Sequence, residues 1–259
     1  MPAFAAGGDP VSWVVHASPE VLINLIAAAI GGAMVWFASQ VRGRVRSFRA
    51  RKFWKSMGRR RPLIVLGTPD SASLLSWEKS GMVGKGDILA LVAIEEQQRK
   101  LGFSGKIVEA KELRSADLTS DLILICGPEG NSVTSIMMDK LGDTISYEFT
   151  DDPKSGESAV RDRRSGRLWV PQYDAHGDPT NDFALIIRAA NPLAPDNSDI
   201  VILAGCWGHG TAAAAEKLGD RKFLHRQRRS RHFEALVGTT VVGGAHYNTV
   251  VLESRDLPE

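Results

Sequence analysis

Hydrophobic and polar positions divide the chain into three stretches of different period. Val21 to Val41, VLINLIAAAIGGAMVWFASQV, runs 21 residues without a formal charge, and Asn24 is its one strongly polar interior residue. A helix of that length spans about 30 Å, the thickness of a bilayer's hydrocarbon core, so 21–41 is predicted to be a transmembrane helix behind a short tail, 1–20. Across 42–61 apolar residues recur at Val45, Phe48, Phe53, Trp54 and Met57, close to a helical stripe among arginines. That pattern predicts a basic juxtamembrane helix lying against anionic lipid heads.

From Pro62 to Glu259 short apolar runs bounded by turns alternate with amphipathic stretches. PLIVLG (62–67), KIVEAKEL (106–113), DLILICG (121–127), TISYEF (144–149), FALIIRAANP (183–192) and IVILAGC (200–206) read as strands. ILALVAIEEQQRKLG, capped by Asp87 and closed by Gly102, reads as a helix, as do SVTSIMMDKLG, GHGTAAAAEKLG and RSRHFEALVG. TTVVGG and HYNTVVLE supply two terminal strands. Residues 151–182 are rich in turn chemistry around AVRD and RLWVP and predict a β-hairpin insertion. Together these elements predict an α/β domain over 62–259: a Rossmann-like, mostly parallel sheet covered on both faces, with LIVL, LILI and IVIL at its centre.

Charge adds an orientation. The overall balance is +2, yet residues 1–41 hold two acids and no Lys or Arg, and residues 42–61 hold ten Lys or Arg and no acid. Lys and Arg beside a membrane span stay in the cytoplasm, so the expectation is a single-pass inner-membrane protein with its N-terminus outside and its C-terminal domain cytosolic. Trp13, Trp36 and Phe37 suit the two interfaces. Ala27/Gly31, Ala28/Gly32 and Ala29/Ala33 are small pairs at i, i+4 that let helices approach, so a homo-oligomer is expected. Next to a bilayer, the basic stretch favours lipid over direct nucleic-acid binding. Two cysteines, Cys126 and Cys206, make neither a disulfide framework nor a zinc cluster and suit a reducing compartment.

Open α/β sheets bind ligands beyond the carboxyl ends of their strands. Three strands here end in glycine-bearing polar turns: Gly67-Thr68-Pro69-Asp70-Ser71, Gly127-Pro128-Glu129-Gly130-Asn131 and Gly205-Cys206-Trp207-Gly208-His209-Gly210-Thr211. If the strands are parallel, the turns share one edge. In the third, glycines permit a tight bend, and Thr211 opens a helix whose positive end attracts anions. The candidate ligand residues are Gly67, Thr68, Ser71, Gly127, Glu129, Gly130, Asn131, Gly208, His209, Gly210 and Thr211, and the expected ligand is a nucleotide-like small molecule. The third turn is GxxGxG, not the dinucleotide fingerprint, and GMVGKGD lacks the hydroxyl residue of a Walker A loop. Cys206 with His209, or Glu129, offers an alternative reading as a nucleotide hydrolase or glycosidase, and a membrane scaffold is a third. No histidine spacing predicts a metal, and no cofactor or catalytic residue is assigned. RKFLHRQRRSRH (221–232) concentrates basic charge that is expected either to reach ligand phosphates, membrane or partner, or to form a solvated helix face.

The plan of one membrane helix (Val21–Val41), a first strand ending LGTPDSAS, and the late AGCWGHGTAAAAE, which is similar to the glycine-Thr-Glu turns of SLOG domains, resembles membrane-anchored effectors of prokaryotic antiviral signalling. In those, CARF (CRISPR-associated Rossmann fold) or SLOG-type domains sense cyclic oligonucleotides or NAD-derived messengers. The resemblance implies a sensor that binds a nucleotide-derived ligand and signals to its membrane helix through oligomerisation.

Overall fold

A computed structural model describes residues 50–68, 82–227 and 230–258. The chain divides into two units, Met1–Phe48 and Arg49–Glu259, and the described residues all belong to the second. The predicted span 21–41, and the juxtamembrane stretch up to residue 49, lie outside them. Among the described residues no helix is long and apolar enough to cross a membrane.

The uninterrupted apolar runs become the strands that are covered on both faces. In chain order the elements are helix α1 (50–60), β1 (Leu63–Leu66), α2 (Lys85–Leu101), β2 (Lys106–Glu109), β3 (Leu122–Ile125), α3 (Ser132–Leu141), β4 (Tyr147–Asp151), β5 (Ser158–Asp162), β6 (Leu168–Trp169), β7 (Asn181–Ala190), β8 (Asp199–Gly205), α4 (Gly208–Leu218), α5 (Arg221–Arg226), β9 (Phe233–Val242) and β10 (Ala245–Asp256). Seven strands form one sheet in the order β10-β9-β7-β8-β3-β1-β2. β8, buried at all seven positions, is its middle strand, with β3 beside it.

The sheet is largely parallel but mixed. β2, β1, β3 and β8 pair in parallel, whereas β7 is antiparallel to both β8 and β9, and β10 is antiparallel to β9. β7 and β10 thus run against the other five. β4, β5 and β6 form a separate three-stranded antiparallel sheet, so the expected hairpin insertion is larger than its sequence suggested and takes in the TISYEF strand.

Period-2 alternation sorts the core into two layers. Ile123 and Ile125 face α1, α2, α4 and α5, while Leu122 and Leu124 face α3 and the small sheet. Four fully or almost fully buried alanines, Ala212–Ala215, let α4 lie close to the sheet and to α2.

Two sequence expectations are corrected here. RSRHFEALVG is not a helix: Phe233–Val242 is strand β9, with Phe233, Ala235 and Val237 in one core layer and Leu236 in the other. Its Glu, Ala and Leu favour helix locally, but pairing to β7 on one side and β10 on the other outweighs that preference. The second correction concerns the part of the basic stretch that is described. Phe53, Trp54 and Met57 are buried in the domain core, not turned to lipid. Burying side chains of this size contributes about 1.5–3 kcal/mol apiece, against about 1 kcal/mol for each basic residue near an anionic surface. The domain wins the apolar face. Arg51, Lys52, Lys55 and Arg59 remain exposed on the other.

Polar groups fix α1 as well. Arg188 on β7 donates to the Phe53 carbonyl, to Ser56 Oγ (3.2 Å) and to Asp199 Oδ2 (3.0 Å), and its guanidinium lies 4.3 Å from the Phe53 ring centre. Ser56, Arg231 and His232 converge on the same Asp199, and Arg60 pairs with Asp121. Asp199 begins β8 and Asp121 precedes β3, so α1 is clasped to the edge where the parallel strands start.

Candidate functional site

The opposite edge collects the carboxyl ends of β1, β3 and β8. Leu66 pairs with Ile125, and Ile125 with Leu203, so the ends of these strands stand side by side. Between the turns after β3 and β8 and the start of α2 lies a cleft of about 570 Å³, inside the range of roughly 300–1,000 Å³ common for small-molecule sites.

Its floor is made by two helix beginnings in backbone contact. A Cβ placed on Gly86, in the first turn of α2, would fall 2.0 Å from the Gly208 carbonyl oxygen at the start of α4. Glycine at 86 is what allows that approach, and a Cβ on Gly208 would lie 3.1 Å from the Gly86 Cα. Neither helix has a side-chain cap from its N-cap residue, Gly84 or Trp207. The N–H groups of Lys85, Gly86, Gly208 and His209 precede any carbonyl that their helices could offer, and all four residues line the cleft at two positive helix ends. Lys85 and His209 line the same cleft. Lys85 Nζ donates to the carbonyl of Gly244 in the β9–β10 turn (3.4 Å), and His246, pairing with Glu216 at 3.1 Å, stands near His209.

Of the residues expected from sequence, Gly127, Glu129, Gly130, Gly208, His209 and Thr211 line this cleft. The others are placed differently. Asn131 is buried and structural: its side chain accepts from Val133 N and Thr134 N, capping α3, and donates to the carbonyls of Val65 and Ile125. Gly67 packs on Gly130, whose carbonyl oxygen would be 2.4 Å from an added Cβ. Thr68 is half-buried outside the cleft lining, and Ser71 lies outside the described residues. Gly210 is buried beneath the cleft, with its N–H given to Asp182 Oδ2 at 2.5 Å and Phe183 O only 2.7 Å from an added Cβ. A branched residue there would disturb the β7–α4 packing rather than probe a ligand. Thr211 holds the turn by accepting from Gly205 N (3.0 Å) and does not open the helix, which starts at Gly208. Asp87 is not the N-cap of α2; it lies within the first turn, paired with the Cys126 thiol.

Sequence reasoning missed four contributors. Lys85, Gly86 and Asp87 belong to GMVGKGD, whose glycines serve a helix start instead of a Walker loop. Asp182 left no local signal. It is fully buried and accepts from Phe183 N (2.8 Å), Trp207 N (3.2 Å) and Gly210 N, capping α4 from the neighbouring strand. Burial pushes its carboxyl up to about 7 against those three donors.

The titratable groups argue against thiolate chemistry. Cys126 takes φ +93°, in the region that favours glycine, and its sulfur would lie 2.5 Å from a Cβ added to Gly130. Burial, then the Asp87 carboxylate, pushes this thiol up to about 12. Burial, then Asp182, likewise holds the Cys206 thiol well above its ordinary value. Both cysteines stay neutral near pH 7, whereas an activated nucleophile needs the reverse. Burial raises Asp87 and lowers His209, the latter helped by His246 and Lys85.

None of the described residues of the basic run 221–232 lines this cleft. Phe223 and Leu224 enter the core, and Arg231 and His232 meet Asp199 at the α1 edge. Among the described residues no group of His, Cys, Asp and Glu is arranged to hold a metal. No family model and no curated protein matches the chain.

Proposed function

We propose that this chain is a membrane-anchored sensor whose cytosolic, Rossmann-like domain binds a nucleotide-derived ligand by its phosphate and signals to the N-terminal segment through self-association. The observation that carries the reading is the abutment of two helix N-termini, at Gly86 and Gly208, where Asp182 takes the Trp207 and Gly210 N–H groups and leaves those of Gly208 and His209, with Lys85 beside them. Oriented N–H groups and aligned peptide dipoles favour a phosphate without desolvating a fixed countercharge. The route to the membrane is supported by β7 and β8. At one end these strands carry Asp182 and Gly205, which shape the cleft floor; at the other they carry Arg188 and Asp199, which hold α1. A ligand that shifts the first end biases the second, provided it binds two arrangements unequally.

A hydrolytic reading draws on Asp87, a buried carboxyl lining the cleft with its proton affinity raised. Incubating the full-length chain with NAD, a cyclic dinucleotide and a cyclic oligoadenylate separates the two. The sensor reading expects a raised melting temperature and intact compound; product formation supports the enzyme. No shift with any compound, together with a co-purifying protein, supports the scaffold.

A further inference from the structure

Trp207 is 43% exposed on the wall of the cleft, immediately before the Gly208 and His209 donors. It belongs to neither core layer. Its orientation is nevertheless fixed: the indole N–H donates to Tyr173 Oη at 2.6 Å, and Tyr173 donates in turn to Glu157 at 3.0 Å. Tyr173 is anchored by its bridge to Pro179, and Tyr173 and Pro179 both line the cleft. The ring's only polar atom is thus satisfied by protein, which leaves its apolar face as what the cleft can use. An uncovered indole held by a relay of two hydrogen bonds, one residue from a phosphate-binding floor, has the layout of a stacking surface for a flat ring.

We infer that Trp207 is the specificity-determining residue of the cleft, stacking the planar heteroaromatic ring of a ligand whose phosphate lies at the paired helix N-termini. This rests on the phosphate reading above and adds a preference: nucleotides are held over sugar phosphates of the same charge. Tyr173 is a positioning residue that acts through Trp207.

The test titrates the full-length chain, purified in detergent, with adenosine 5′-monophosphate, ribose 5-phosphate and inorganic phosphate. The expected result is that the nucleotide binds about 10- to 100-fold more tightly than ribose 5-phosphate, the usual span for stacking one base on an aromatic ring. Trp207→Ala brings the nucleotide down to the ribose 5-phosphate level and leaves ribose 5-phosphate within about twofold. Trp207→Phe keeps most of the preference, and Tyr173→Phe loses part of it. A second readout does not depend on the alanine variant's folding: the nucleotide, and not ribose 5-phosphate, quenches emission in the wild type, and Trp207→Phe abolishes that quench. Equal affinity for the two phosphates, or a preference that survives Trp207→Ala, overturns the stacking inference alone. If no phosphate compound binds, or if Lys85→Ala leaves every affinity unchanged, the phosphate reading fails and the stacking inference falls with it.

Discussion

At the scale of single residues, the glycine turns were legible as a group, but the job of each glycine was not. Gly208 faces the cleft while Gly210, two positions on, is sealed under it by Asp182 and Phe183. Sequence spacing cannot tell them apart, because the distinguishing atoms belong to β7. The same holds for Asn131, which reads as a polar turn residue and is a buried cap. Asn131→Ala is expected to cost about 2–4 kcal/mol in urea denaturation, since it removes a cap and strands two buried carbonyls. In the variant that remains folded, phosphate affinity should hold within about twofold. Gly86→Ala forces a Cβ into the Gly208 backbone and is expected to lose about 1–3 kcal/mol together with ligand binding.

Asp182 adds a pH dependence at the same scale. Its carboxyl is raised in the folded protein, so the stabilisation from its protonated form is complete below its ordinary range. That stabilisation is lost as pH climbs toward about 7. Chemical denaturation from pH 4 to 8 should show this loss, and Asp182→Asn should flatten that part of the profile.

At the scale of elements, apolar runs and glycine stops predicted β1, β3, β7, β8, α2 and α3 well, because each element's own period matches its burial. Gly102, for instance, ends α2 in the left-handed conformation (φ 83°) expected of a helix-closing glycine. The failures came where tertiary partners decide. FEALVG becomes a strand because β7 needs a neighbour, and 106–113 keeps only four strand residues before a short 3₁₀ turn. The stripe of Phe53, Trp54 and Met57 is helical, as its spacing predicts, but it faces the domain core instead of lipid. Its anchor, Asp199, is spread over four distant donors that no local window unites. Asp199→Ala leaves Arg188 buried without its countercharge, and a loss of about 3–5 kcal/mol is expected. Hydrogen exchange should show the amides of 50–60 losing protection first.

At the scale of the whole molecule, two edges of one sheet carry different chemistry: a donor-lined cleft at one and a basic, helix-clasped face at the other. The outer strand β10 exposes Tyr247, Val250 and Leu252 along an edge with no further strand among the described residues. Self-association through that edge predicts that Val250→Lys shifts the sedimentation profile toward monomer while the melting temperature stays nearly unchanged. The membrane reading predicts that the full-length chain sediments with lysed-cell membranes and resists a high-salt wash.

The most direct measurement of the central claim is an amide nuclear magnetic resonance titration of the full-length chain with adenosine 5′-monophosphate. The account predicts that the largest shifts fall on Lys85, Gly86, Gly208 and His209, the four donors around the Gly86–Gly208 contact. Shifts confined to the opposite edge, around Arg51, Arg221 and Arg231, would contradict it.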